Sequence, residues 1–364
     1  MIQRVIFSVI LSFYATCAFA QDKTLKIYNW SDYINPDVIA AFEKESGIKV
    51  IYDTYDSVEM AETKLTAGKS GYDLAVVAAT ATLPRQIPLG LYQKIDLTKL
   101  KNAKNLWPEI AKRISVYDPG NQYSVNYMWG TTGIGYNTAK AKERGFAKVD
   151  SWSVVFDPEK IKKFADCGIF MLDATEEIFP AALNYLKLPP DSKSFDDLRK
   201  AADLLASIRP FVKKFHSSEY INSMANGDVC LVVGYSGDIL QARDRANEAK
   251  KGVEISYSIP HEGAALWFDN FVIPKDAANA DAAYAFIDFL NRPEMAAKNS
   301  NMLNFASGNL EAQKFVDKDI LENPGIYPPA DVMQMLFTVT PYDRKTQSAV
   351  NRMWTNIKAN RKPY

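Results

Sequence analysis

The chain has 364 residues, and 47% of them are hydrophobic, which supplies enough apolar surface for two cores and predicts two lobes. Lysine plus arginine and aspartate plus glutamate are balanced at 43 each. This balance excludes a strongly basic surface, so nucleic acid is not expected as a partner.

The first twenty residues have the pattern of a secretory signal peptide. Arg4 makes the start positive, residues 5–14 are apolar but too short to span a bilayer, and Ala18-Phe19-Ala20 is a small-x-small cleavage pattern. Cys17 raises the alternative of a lipid anchor, but the residues before it match a lipid-attachment sequence poorly. We therefore expect cleavage after Ala20 and a soluble product in the periplasm.

Cleavage leaves two cysteines, Cys167 and Cys230, in an oxidising compartment, which favours a disulfide. Each precedes a short apolar run with the character of a strand, and this arrangement allows them to lie side by side in one lobe. Two buried thiols that do not react with each other are the alternative, because the sequence does not give their separation.

Residues 25–77 alternate between strand patterns and helix patterns. Asn35-Pro36 is a helix start, with the asparagine as N-cap and the proline in the first turn. Strands that alternate with helices predict a parallel α/β sheet covered by helices on both faces. The predicted segments are strands over 25–28, 49–52 and 72–77, a helix from 36 and a helix over 57–67.

The loop after the first strand, residues 28–33 (Tyr-Asn-Trp-Ser-Asp-Tyr), combines aromatic rings, a hydroxyl and a carboxylate. Open α/β sheets bind ligands at such strand ends. An aromatic face beside a carboxylate suits an organic cation, through cation–π attraction and charge-assisted hydrogen bonds. The alternative is a surface turn in which Trp30 packs on its own lobe.

Residues 123–137 are extended and contain three glycines. A phosphate-binding loop is excluded because no Lys-Ser/Thr pair follows and no helix opens there. We interpret this segment as a crossing between lobes whose glycines let the backbone flex as a hinge. Residues 266–273 are a second extended segment, which we interpret as the second crossing.

The α/β alternation is repeated over residues 151–263, and a helix over 346–360 closes the chain. The fold class is therefore α/β: two lobes, each a mainly parallel sheet flanked by helices, with a ligand cleft between them. The predicted division is 21–130 and 266–310 for lobe 1, and 131–265 and 311–364 for lobe 2.

Residues for catalysis do not assemble in the sequence. His216 and His261 have the neighbours of surface residues, and the Gly-Tyr-Ser-Gly of residues 234–237 lacks the spacing of a nucleophile elbow. The acids at 176–177 have no second acid paired with them along the chain for glycoside hydrolysis. No metal-ligand spacing is present, so we expect no metal, no other cofactor and no enzymatic activity.

An acid set near an aromatic residue recurs at strand ends in both halves of the chain. Singly, each such acid is more often a helix cap or a solvated group. Four of them on both sides of the proposed crossings favour one shared site for a cation. They are Asp32, Glu177, Asp238 and Asp269.

Long stretches dispersed over nearly the whole mature chain carry a family resemblance. The chain resembles the periplasmic polyamine-binding proteins of ABC importers, of the putrescine-binding type. The resemblance implies a type II periplasmic-binding-protein fold, a monomer, a ligand held between the lobes and a membrane permease as partner. The matching stretches are residues 27–34, 131–137, 215–222, 225–228 and 322–331.

The resemblance also assigns roles to residues of this chain. It implies that Trp30 stacks on the methylene chain of the ligand, with Tyr33 beside it. Ser31 and Asp32 would contact one ammonium group, and three further acids would serve the other charge and its waters. These acids are Glu177, Asp238 and Asp269; Trp267 takes the place of a family phenylalanine, and the relatives link the equivalents of Cys167 and Cys230.

The site also departs from the family pattern. Tyr235 stands in place of a tryptophan, and Phe305 replaces a tyrosine and loses its hydroxyl. In the loop over 78–82 a binding serine is replaced by alanine, and Thr80 or Thr82 substitutes for it. We therefore expect a polyamine, putrescine before spermidine, agmatine or cadaverine. A sensor that signals to a receptor and a secreted enzyme are the alternatives.

Overall fold

The computed structural model describes residues 23–364, so the predicted signal peptide, its cleavage site and Cys17 lie outside the described residues. Ten strands occur in this range: β1 Thr24–Trp30, β2 Lys49–Tyr55, β3 Leu74–Ala78, β4 Ser124–Asn137, β5 Ile169–Met171, β6 Lys214–Phe215, β7 Leu231–Tyr235, β8 Ile255–Ser258, β9 Leu266–Val272 and β10 Ala306–Ser307.

The α-helices in the same range are α1 Pro36–Ser46, α2 Val58–Thr66, α3 Ala79–Gln86, α4 Pro108–Ile114, α5 Thr138–Glu143, α6 Ser153–Phe156, α7 Pro158–Ile161, α8 Thr175–Tyr185, α9 Phe195–Ile208, α10 Tyr220–Asn226, α11 Ser236–Glu248, α12 Ala280–Leu290, α13 Pro293–Leu303, α14 Lys318–Leu321, α15 Ala330–Met335 and α16 Arg344–Lys358. None of the helices in residues 23–364 combines the length and the apolar character that a membrane crossing requires.

Helix α1 shows how local sequence sets an element. The side chain of Asn35 accepts a hydrogen bond of 2.9 Å from the backbone N–H of Asp37, and Pro36 fills the first helical position. The helix ends at Gly47, which adopts a φ of 67° that favours glycine. The predicted helix start is therefore confirmed. The preceding strand β1 ends at Trp30, directly before the loop that leads into α1.

The strands form two mixed sheets, with parallel and antiparallel pairings, that share β4. In lobe 1 the order is β2-β1-β3-β9-β4, with β9 antiparallel to both of its neighbours. In lobe 2 the order is β4-β7-β5-β6, with β8 on the other side of β4. The predicted class, two α/β lobes whose sheets are flanked by helices, is confirmed, although the expected mainly parallel pairing is replaced by mixed pairing.

Strand β4 is the crossing that the sequence predicted. Residues 124–131 pair with β9 in lobe 1, and residues 132–137 pair with β7 and β8 in lobe 2. Its glycines permit close packing, and the predicted hinge flexing stays a prediction. A Cβ at Gly130 would lie 2.6 Å from the ring of Trp267, and one at Gly133 would lie 2.5 Å from the carbonyl oxygen of Ser258.

The interpretation of residues 266–273 as the second crossing is wrong. Strand β9 lies wholly within lobe 1, between β3 and β4, whereas β8 pairs with the lobe 2 half of β4. The chain therefore passes between the lobes in the segment between Ser258 and Leu266. A run of alternating apolar residues predicts a strand, but it does not say on which side of a crossing the strand lies.

The predicted boundary at 311 assigns residues 312–336 to lobe 2, but apolar residues of this segment pack against lobe 1. Ala312, Val316 and Ile320 share an apolar cluster with Tyr28 of strand β1. Helix α16 then returns to lobe 2, where Trp354 packs into the other core.

A disulfide joins Cys167 and Cys230, whose Cα atoms are 5.6 Å apart and whose sequence separation is 63. It links the segments that precede β5 and β7, two paired strands of lobe 2. Of the two states that the cysteine spacing left open, the structure contains the disulfide.

Candidate functional site

A cavity lies between the lobes, where several strands end and helices begin. It is the site that the two-lobed fold predicts. Ten of the eleven binding residues expected from the sequence line it: Trp30, Ser31, Tyr33, Thr80, Glu177, Tyr235, Asp238, Trp267, Asp269 and Phe305.

The fold explains why these side chains converge. Trp30 ends β1, and Asp269 lies in β9 opposite Ala78, the last residue of β3. Across the cleft, Glu177 and Asp238 lie in the first turns of α8 and α11. A helix N-terminus favours a negative side chain, so both lobe 2 acids occupy positions that suit a carboxylate.

Aromatic rings form the walls of the cavity. The ring centroids of Trp267 and Phe305 are 5.2 Å apart with their planes at 75°, and Tyr235 meets Trp267 edge-on at 5.5 Å. On the lobe 1 side, Tyr33 meets Phe305 at 5.2 Å, and Trp30 lies 4.4 Å from the ring of Tyr55. These contacts hold the rings rigidly around a narrow, apolar space.

Three carboxylates face this aromatic space: those of Glu177 and Asp269 are buried, and that of Asp238 is half-buried. Asp269 accepts a hydrogen bond of 3.3 Å from Nε1 of Trp30, Glu177 accepts one of 2.6 Å from the Thr132 hydroxyl, and Asp238 accepts one of 2.6 Å from the Tyr220 hydroxyl. Their partners are all neutral.

Burial raises the pKa of each of these carboxyl groups. The pKa of Asp238 and that of Asp269 are raised to about 7, and that of Glu177 to about 8, chiefly because burial removes water from the charged form. No lysine, arginine or histidine among residues 23–364 lines the cavity. The cavity therefore holds acids without a basic partner among its lining residues, and a cation that enters would favour their ionised forms.

Asp32 is the one predicted binding residue that does not line the cavity. It adopts a φ of 53°, and its carboxylate pairs with Nη2 of Arg245 on α11 at 3.0 Å. In this structure Asp32 joins lobe 1 to lobe 2 outside the cavity, and its expected contact with a ligand ammonium stays a prediction.

Several lining residues were missed from the sequence. Tyr55 and Asp56 show the same pattern as the loop after β1: an aromatic residue and an acid at the end of a strand. This pattern predicts both as binding residues. Asp56 accepts a hydrogen bond of 2.6 Å from the Ser31 hydroxyl, and the Ser218 hydroxyl of lobe 2 lies 3.5 Å from the same oxygen. The remaining missed residues are Val58, Ala78, Ala81, Glu176, Ser217, Ser218 and Ile221.

The structure also distinguishes the two threonines that the sequence left as alternatives. Thr80 lines the cavity, whereas Thr82 is buried in α3 and does not.

The two histidines of the chain lie outside the cavity. His216 uses Nδ1 to accept hydrogen bonds from the backbone N–H groups of Ser218 and Glu219, and His261 is exposed beside Asp150. Across residues 23–364, no group of three or more His, Cys, Asp or Glu side chains is placed to hold a metal ion. The chemistry that the cavity supports is the binding of a cation with an apolar body.

Comparison with known proteins agrees with this geometry. The chain is 50% identical over 342 residues to the putrescine-binding periplasmic protein SpuD of Pseudomonas aeruginosa, with 93% of each chain covered. It is 49% identical over 343 residues to the putrescine-binding periplasmic protein PotF of Escherichia coli, with 93% of this chain and 92% of that protein covered.

A solved structure of a spermidine/putrescine ABC transporter protein from Listeria monocytogenes is similar, with a TM-score of 0.82 and 34% identity. The similarity covers 93% of this chain and all of that one. Residues 37–328 match the family model described as bacterial extracellular solute-binding protein. With most of its length matched, the chain belongs to the family of bacterial extracellular solute-binding proteins.

Proposed function

We propose that this protein captures putrescine, a linear diamine with two positive charges, in the cavity between its lobes and delivers it to the permease of an ABC transporter. The observation that carries the proposal is a set of three carboxylates within aromatic walls, with no basic side chain of the described residues lining the cavity beside them. Two of these carboxylates, Glu177 and Asp269, are buried, and Asp238 is half-buried. The two relatives near 50% identity are both named as putrescine-binding proteins, which supports the same ligand for this chain.

The physical argument concerns water. An ammonium group that leaves water loses several hydrogen bonds, and this is costly unless an anion and acceptors replace them. Buried carboxylates on both lobes supply these acceptors. The faces of Trp30 and Trp267 cover the methylene stem, which favours burial and adds cation–π attraction at the charged ends.

Closure follows from contacts that only the two lobes together can make. A ligand held by Asp269 of lobe 1 and by Glu177 and Asp238 of lobe 2 binds the closed state more tightly than the open one, so it shifts the population towards closure. A transporter that recognises the closed form would then receive loaded protein. We place this cycle in the periplasm, with a monomeric chain cleaved after Ala20.

Calorimetry with the purified mature chain, freed of bound amines, tests the proposal. Putrescine, cadaverine, agmatine and spermidine are titrated separately, and we expect one putrescine per chain, bound more tightly than cadaverine or agmatine. If none of the four amines binds at millimolar concentration, the proposal fails.

Two further measurements separate the alternatives. Mass spectrometry of each amine after incubation with the protein is expected to recover it unchanged, whereas a product would indicate a secreted enzyme. Reconstituted transport with the permease is expected to depend on this protein. A protein that binds putrescine but supports no transport would favour the sensor.

A further inference from the structure

The turn between β6 and α10, residues 216–219, forms part of the lobe 2 wall of the cavity. Ser217 and Ser218 line the cavity, and so does Ile221 in the first turn of the helix that follows. The Ser218 hydroxyl also lies 3.5 Å from the Asp56 carboxylate of lobe 1. The position of this turn therefore affects both the cavity and the contact between the lobes.

The turn also leads directly into the residue that holds one of the cavity acids. Tyr220 is the first residue of α10 and is fully buried. Its hydroxyl donates a hydrogen bond of 2.6 Å to Asp238 and accepts one of 3.2 Å from the backbone N–H of Tyr235. A shift of the turn would move the Tyr220 ring, and the Asp238 carboxylate would lose its partner.

His216 holds the turn in place. Its Nδ1 accepts hydrogen bonds from the backbone N–H groups of Ser218, at 3.2 Å, and Glu219, at 3.1 Å. A backbone N–H only donates, so Nδ1 carries no proton and the ring is neutral, with its proton on Nε2. A protonated imidazole donates from both nitrogens and cannot accept either bond. The observed turn therefore requires the neutral ring.

The charges around His216 favour the protonated ring instead. The ring lines a crevice at the mouth of the cleft, and Nε2 lies 3.9 Å from the Glu219 carboxylate. Four acids and two lysines surround it: Glu219, Asp56, Glu59, Asp173, Lys214 and Lys358. The lysines are paired with two of these acids, Lys214 with Glu219 and Lys358 with Asp173. Because the His216 side chain is 36% exposed, protons from solvent reach it.

We propose that His216 is a positioning residue for ligand capture: its neutral ring holds the lobe 2 wall in the form that binds, and protonation of Nδ1 releases the turn. The inference rests on the proposed function, which supplies the ligand. Histidine is the side chain that ordinarily changes charge between about pH 5 and pH 8. A fall in pH over this range would therefore loosen the wall and weaken binding.

The cavity carboxyl groups also weaken binding at low pH, so variants must separate the two effects. His216→Asn places an acceptor oxygen near the position of Nδ1 and cannot be protonated, whereas His216→Phe keeps a ring without an acceptor. His261→Asn changes the other histidine of the chain, which is exposed beside Asp150, and is the matched control. Calorimetry measures putrescine affinity of the unmodified mature chain and of each variant at pH 7.5 and 5.5.

At pH 7.5 we expect His216→Phe to bind putrescine about fivefold or more weakly than the unmodified chain, because the turn loses its acceptor. His216→Asn should recover most of this loss. On acidification to pH 5.5, His216→Asn should lose about threefold less affinity than the unmodified chain, and His261→Asn should lose as much as the unmodified chain. A merely structural role of His216 would leave this pH dependence unchanged.

Hydrogen exchange without ligand gives a second, direct measurement. Mass spectrometry follows the backbone amides of residues 216–221 at both pH values, with rates corrected for the intrinsic effect of pH. In the unmodified chain, the amides of Ser218 and Glu219 should exchange about threefold or more faster at pH 5.5 after this correction. In His216→Asn the corrected rates should not change, because the oxygen remains an acceptor.

An equal pH dependence of affinity in the unmodified chain and in His216→Asn would overturn the inference. So would corrected exchange rates in the unmodified chain that do not rise at pH 5.5, and this result decides the matter even if His216→Asn does not fold. Both outcomes leave the proposed function standing. Failure of the unmodified chain to bind putrescine would instead remove the proposed function, and the role of His216 in ligand capture with it.

Discussion

The carboxylate of Asp32 lies 3.0 Å from Nη2 of Arg245, and the two residues belong to opposite lobes. Their side chains are 48% and 32% exposed, so the pair stands at the rim of the cleft, where water and salt screen it. It can form only when the lobes are close together. The pair is therefore a contact of the closed state, and its energy adds to that of the ligand.

Asp32→Asn and Arg245→Gln should each weaken putrescine binding modestly. A partly exposed ion pair contributes about 0.5–1 kcal/mol, so we expect each single variant and the double variant to lose about two- to fivefold in affinity. Calorimetry of the unmodified chain, the two single variants and the double variant gives the coupling energy between Asp32 and Arg245. Losses in the double variant equal to the sum of the single losses would show that the pair does not hold the lobes together.

Asp269→Asn should weaken putrescine binding by at least tenfold, about 1.4 kcal/mol or more, because it removes a buried negative charge from the cation site. The thermal midpoint without ligand should stay the same or rise, since a buried carboxylate without a cation is costly. Calorimetry and thermal unfolding measure the two effects. An unchanged affinity would remove Asp269 from the site, and a folded far-UV spectrum is the control.

Several features of this site could be predicted from the sequence because they follow from strand ends. Trp30 ends a strand, and Asp238 lies in the helix that follows one, so parallel topology brings both to the same cleft. Asp56 follows the same logic and was overlooked. Asp32 could not be placed, because its φ of 53° and its ion pair with Arg245 of the other lobe both depend on the folded structure.

The lobe to which a segment belongs was also beyond sequence reasoning. Apolar spacing shows that Val316 and Ile320 have a buried face, but both lobes offer an apolar surface to cover it. The same holds for β9, whose pairing partners lie far away in sequence.

Removal of the disulfide should affect stability without affecting binding. Cys167 and Cys230 close a loop of 63 residues in lobe 2 and do not line the cavity. Replacement of both by serine should lower the free energy of unfolding by about 2–4 kcal/mol. Urea denaturation measures this change, and calorimetry at 15 °C should give an unchanged putrescine affinity. A large loss of affinity in a variant that remains folded would contradict a purely structural role.

Putrescine binding should strengthen as the pH rises from 5.5 to 7.5. Burial raises the pKa of Asp238 and of Asp269 to about 7 and that of Glu177 to about 8, so at low pH the cation must displace protons from these groups. With two groups near 7, we expect affinity at pH 5.5 to be at least about tenfold lower than at pH 7.5.

The pH dependence of stability has the opposite sign to that of putrescine affinity. A carboxyl group whose pKa is higher in the folded chain than in the unfolded chain binds its proton more tightly when folded, so the protein without ligand should lose stability as the pH rises from about 4 to about 8. Thermal unfolding across this range, with and without putrescine, checks both signs in one experiment. Asp269→Asn should make both the putrescine affinity and the thermal stability depend less on pH. An affinity that does not change with pH would show that the acids are already ionised before the ligand arrives.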